Sequence, residues 1–152
     1  MKTRTIITEI RPEDLHRLLS LAIQDSKWLA LRSTPEQREG IYIDPLATPL
    51  ETWIKILYYH AGSITAYDTQ AEGELRGNLD DKHLDGEDGV YMLTLEAIGL
   101  GLEEAANGTY TGAKEVEDPG AAAFSAFYFG EGFTKDHADV LLQIILFNEI
   151  VY

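Results

Sequence analysis

The densest group of reactive side chains in this sequence is Asp80, Asp81, His83, Asp85, Glu87 and Asp88. Asp81-x-His83-x-Asp85-Gly86 has the opening spacing of a calcium loop. There, oxygens at positions one, three and five face the ion and a glycine at six makes the turn. The match then breaks down: position three is an imidazole, and position twelve is Met92 where a bidentate carboxylate is needed. A metal-dependent hydrolase built on carboxylates around His83 is therefore an alternative reading, not the leading one. The expectation for this cluster is a solvated acidic loop that serves as a contact surface for a basic partner.

Other chemistries find less support. The chain has no cysteine, so a nucleophile would be Ser or Thr activated by a base. None of Ser20, Ser26, Ser33, Ser63 and Ser125 lies in a Gly-x-Ser-x-Gly elbow. The histidines at 16, 60, 83 and 137 are scattered singly, and His137-x-Asp139 has a spacing that does not bring side chains together on a helix. Gly99-x-Gly101 and Gly130-x-Gly132 lack the third glycine and the preceding strand of a phosphate loop. No catalytic residue, metal ligand or cofactor is assigned from the sequence. Glu103-Glu104 and Glu115-x-Glu117-Asp118 are expected to face solvent. The aromatic run Phe124–Phe133 and the residues Trp28 and Trp53 read as core. A small-ligand or nucleotide pocket lined by Trp28, Trp53 or Phe127 is a second alternative.

Charge is the strongest global signal. Residues 1–50 hold seven Lys/Arg and seven Asp/Glu, whereas residues 51–152 hold five and nineteen, so the whole net charge of −14 lies in the later part. Polyanion binding relies on cations displacing counterions, so such a surface repels nucleic acid and anionic lipid. It attracts basic partners and steers them in. Rows of carboxylates can mimic the negative charges of DNA. The expected partner is a basic protein surface, such as that of a nucleic-acid-binding protein, with no direct contact to nucleic acid or membrane. The residues expected to carry the contact are Asp80, Asp81, Asp85, Glu87, Asp88, Glu115, Glu117 and Asp118.

The elements that must position these groups follow from periodicity and punctuation. Thr3–Glu9 reads as a strand. Pro12-Glu13-Asp14 opens a helix whose face is Leu15, Leu18, Leu19, Ala22 and Ile23. Ser26–Arg32 reads as a short strand, 33–39 as loop and Gly40–Pro49 as irregular chain. Thr48-Pro49-Leu50-Glu51 has the pattern of a capping box, and Gly62 is expected to close that helix as a left-handed cap. Ser63–Asp68 and Val90–Leu95 alternate as strands and form a hairpin around the acidic stretch. Glu96–Ala106 is helical and stops at Asn107-Gly108. Gly120–Phe133 reads equally as helix or buried strand. Thr134 caps a last helix with a face of Ala138, Leu141, Leu142, Ile145 and Leu146.

The fold class is α+β, a small mostly antiparallel sheet with three to four helices packed on it, in a single domain spanning 1–152. The opening MKTRTIITEI is interrupted by Glu9 and does not read as a signal peptide. Val140–Phe147 is far too short to span a bilayer. The absence of cysteine and of these signals leads to an expected cytoplasmic location.

Three stretches carry a resemblance: Asp136-His137-Ala138-Asp139-Val140-Leu141-Leu142-Gln143 and on to Tyr152, Glu51-Thr52-Trp53-Ile54, and Tyr91-Met92-Leu93-Thr94-Leu95-Glu96. Together the chain resembles small acidic, uncharacterised proteins of bacterial mobile elements and phages. The resemblance implies a setting in which small acidic proteins inhibit host defence proteins. It transfers no activity and no functional residue, because the shared positions are core and cap residues.

Overall fold

The computed structural model describes residues 10–70 and 89–152. The expected first strand, Thr3–Glu9, and most of the acidic stretch lie outside them. The described chain runs α1 (Pro12–Ile23), β1 (Leu29–Arg32), α2 (Pro49–Ile54), a π-helical turn (Lys55–Tyr59), β2 (Ser63–Asp68), β3 (Val90–Thr94), α3 (Leu95–Asn107), α4 (Pro119–Phe129) and α5 (Lys135–Phe147). It is an α+β fold with five helices and one three-stranded antiparallel sheet.

Local chemistry sets the boundaries. The Asp14 carboxylate accepts from the Arg11 amide at 3.0 Å and closes the start of α1. Thr48 caps α2 through the Glu51 amide, Thr94 caps α3 through the Ala97 amide, and Thr134 caps α5 through the His137 amide. At Thr134 the reciprocal arm is the His137 ring, whose Nδ1 accepts from the Thr134 amide at 3.2 Å. Gly108 (φ 64°) and Gly130 (φ 74°) end α3 and α4 in the left-handed region.

The end of α2 differs from the sequence expectation. The backbone continues into a π turn, with the His60 amide bonded to the Lys55 carbonyl at 3.2 Å. Ala61 takes the positive φ of 50°, not Gly62. Gly62 instead packs tightly against Ile56. A Cβ there would sit 3.0 Å from Ile56 Cγ2, and its amide bonds the Ile56 carbonyl at 2.8 Å.

The strand order is β1-β2-β3, with Leu31 opposite Ala66 and Ala66 opposite Tyr91. Alternation places Leu29, Leu31, Ile64, Ala66, Tyr91 and Leu93 on one face. Phe147 of α5 packs on that face, with its ring 5.4 Å from Tyr91 and 5.3 Å from Trp28. The other face holds Arg32, Thr65 and Tyr67. Gln37 from the 33–48 loop donates to Thr65 there at 3.0 Å. α5 is the hub of the helical layer and touches α1, α3 and α4. Its inner residues Leu141, Leu142, Ile144, Ile145, Leu146 and Phe147 are buried.

Candidate partner-binding surface

Of the eight acidic residues expected to make contact, Asp80, Asp81, Asp85, Glu87 and Asp88 lie outside the described residues. The other three sit in the α3–α4 connection, and the structure separates them. Glu115 and Glu117 are exposed, whereas Asp118 is only 8% exposed. Asp118 is therefore no solvent-facing contact. Its carboxylate caps α4 through the Ala121 amide at 3.0 Å, accepts from the Lys114 amide at 2.9 Å, and accepts from the Tyr110 hydroxyl. The same hydroxyl accepts from the Gly120 amide at 3.1 Å. A buried carboxylate persists only when so satisfied.

The clamp perturbs both partners. Burial, reinforced by the hydrogen bond to Asp118, pushes the Tyr110 hydroxyl up to about 12. Burial alone would raise the Asp118 carboxyl. Hydrogen bonds from the Lys114 amide, the Tyr110 hydroxyl and the Ala121 amide, helped by the Lys114 charge, outweigh it and hold the group below its ordinary value.

The clamp also shapes what protrudes. Asp118 reaches back to Tyr110 and Lys114, so the chain between them must turn sharply, and Glu117 turns it at φ 53°. A non-glycine residue there costs about 1–2 kcal/mol, which the surrounding hydrogen bonds must offset. The result is a fixed tip, Glu115-Val116-Glu117, with Val116 76% exposed between two carboxylates.

Helix α4 follows directly and is unlike the others. Its sequence, PGAAAFSAFYF, has no charged residue and no polar face. This is why periodicity could not identify it. At about 100° per residue, Gly120, Ala123, Phe124 and Phe127 share the buried side. The opposite side presents Ala122, Ser125, Tyr128 and Phe129, with Tyr128 66% and Phe129 71% exposed. The aromatic run thus divides: half is core and half faces outward. An uncharged helix is normally buried on all sides. Arg17 fixes the C-terminal end. It donates to the Phe127 carbonyl at 2.8 Å and stacks 4.7 Å from the Phe127 ring. Glu131 is exposed just beyond. The surface is an apolar strip along one helix with carboxylates at both ends.

Comparison with protein families, curated proteins and solved structures finds no match.

The remaining expectations find their places. Trp28, Trp53 and Phe127 are core residues. His137 is a capping residue. Asp139 accepts from the Trp28 indole and, at 2.9 Å, from Gln143. Among the described residues, no group of three or more His, Asp or Glu is placed to hold a metal ion. The loop around His83 lies outside them. No described helix is long and apolar enough to cross a membrane.

The Asp118-Pro119 pair could have revealed the cap, since Asp before a proline at the first helical position is a start signal. Nothing local in sequence marks Tyr110 as its partner.

Proposed function

We propose that this protein is a non-enzymatic binding protein. It engages a basic protein surface through the Glu115-Val116-Glu117 tip and the outward face of α4, with the acidic stretch around Asp80–Asp88 adding attraction. The observation that carries this reading is the uncharged, aromatic-ended α4 face framed by Glu115, Glu117 and Glu131. Protein interfaces have this anatomy, with aromatic anchors in a desolvated centre and charge at the rim. Charge supports the sign of the partner: residues 89–152 contain two Lys/Arg and ten Asp/Glu. Such a rim raises association rates with cationic surfaces and rejects a second copy of the same acidic chain. The mobile-element resemblance is consistent with an inhibitor of a host defence protein that itself handles nucleic acid.

Affinity capture from a bacterial lysate, at low and high salt, tests the proposal. The expected result is a basic protein retained at low salt and displaced by duplex DNA. Phe129→Ala should weaken its binding by about 2 kcal/mol, roughly thirty-fold. Glu115→Lys with Glu117→Lys should lower the association rate and its salt dependence. Equal retention by wild type and by all three substitutions would sink the reading.

A further inference from the structure

A cleft apart from α4 lies beside β1. It has a volume of about 660 Å³, and its lining includes the apolar Leu31, Ile43, Pro45 and Trp53 and the charged Arg32 and Arg38. The size falls within the range of small-molecule sites, and the lining combines apolar side chains with polar and charged ones that could orient a ligand.

The two arginines are the unusual feature. The protein has 26 Asp/Glu to 12 Lys/Arg, so carboxylate partners abound. Yet among the described residues neither guanidinium forms an ion pair; the ion pairs there belong to Arg11 and Arg17. Arg38 is held in place by its Nη1, which donates to the Ser33 carbonyl and to Ser33 Oγ at 2.9 Å. Its Nε and Nη2 make no hydrogen bond among the described residues. Arg32 lies over the Tyr67 ring at 5.6 Å, and its guanidinium makes no hydrogen bond among the described residues. The single carboxylate lining the cleft, Asp44, is turned to its own loop, where it accepts from the Leu46 amide at 2.9 Å. Among the described residues, both guanidiniums are therefore left with unused donors in the lining of the cleft. Guanidinium presents paired donors that match the oxygens of carboxylate and phosphate.

We propose that this cleft binds a small organic oxyanion with a flat apolar body, its phosphate or carboxylate head between Arg32 and Arg38 and its body against Trp53 and Ile43. The site is independent of the α4 surface, so either reading stands or falls alone.

Titration calorimetry on the full chain tests it with phenyl phosphate, benzoate and adenosine monophosphate, against inorganic phosphate and adenosine as controls. At least one aryl oxyanion should bind, more tightly than inorganic phosphate and adenosine. The ranking of phenyl phosphate and benzoate assigns the head group. Arg32→Gln, which removes no hydrogen bond within the described fold, should weaken binding tenfold or more, as should Arg38→Gln. Phe129→Ala should leave it unchanged. The proposal is overturned if no aryl oxyanion binds, if inorganic phosphate binds as well as they do, or if Arg32→Gln binds like wild type with an unchanged melting temperature.

Discussion

At the scale of single residues, Asp118 shows how one side chain can be counted in the wrong column. By composition it belonged with Glu115 and Glu117 as surface charge. By geometry it is the cap of α4 and the anchor of the tip that presents those two. Asp118→Ala removes a cap and leaves the buried Tyr110 hydroxyl and the Lys114 amide without their acceptor. The expected loss is about 2–3 kcal/mol in urea unfolding. The pH dependence has a definite sign. A carboxyl held below its ordinary value stabilises the fold above the unfolded-state pKa, near 4, and loses that contribution as pH falls through the lower folded value. Tyr110 acts at the other end. Its contribution is complete below about 10, the unfolded-state value, and is lost as pH rises through about 12. Stability measured against pH should therefore fall on the acid side for wild type and less steeply for Asp118→Asn. Equal acid slopes would contradict the clamp.

At the scale of elements, α1, α2, α3 and α5 were legible because each carries a start or stop signal: Pro12 with Glu13 and Asp14, Thr48-Pro49, Asn107-Gly108, and Thr134. Two features were not. α4 hides because alanine and phenylalanine surround it, and only its environment decides which face is buried. Gly101 was legible only as a failed phosphate-loop glycine. In the fold it is where α3 meets α5: an added Cβ would lie 2.6 Å from the Ile145 Cα. Two helix backbones pass there with no room for a methyl group. Alanine is worth up to about 1 kcal/mol over glycine within a helix. Here the clash reverses the sign, and Gly101→Ala should destabilise by about 2 kcal/mol despite better propensity. A raised melting temperature would show that the helices separate without cost.

At the scale of the molecule, fold class and the β2–β3 pairing could be read from alternation, whereas the sheet order could not. Placing β1 beside β2 depends on contacts between residues far apart in sequence. Gln143 is the sharpest case. It stands in an apolar stretch and is 0% exposed. Its Oε1 accepts from the Val151 and Tyr152 amides at 2.7 and 2.6 Å, and its Nε2 donates to Asp139. Tyr152 then donates to Asp68 at the end of β2, at 2.9 Å. One buried amide thereby joins α5, the last residues and the sheet. Gln143→Leu should cost about 2–4 kcal/mol in urea unfolding, because two amides and a carboxylate lose partners. The same end of the sheet has a practical consequence. The Asp68 amide bonds the Gly89 carbonyl at 2.7 Å, and Thr69 and Gln70 both donate to the Lys27 carbonyl. The chain leaves and re-enters the sheet through a neck that is already tied shut. Replacing residues 71–88, which hold seven acids and two bases, by a short glycine turn keeps every residue of that neck. The parent and the shortened protein differ by those seven acids and two bases, a net five negative charges, so comparing their capture of a basic partner weighs what that stretch adds to the attraction.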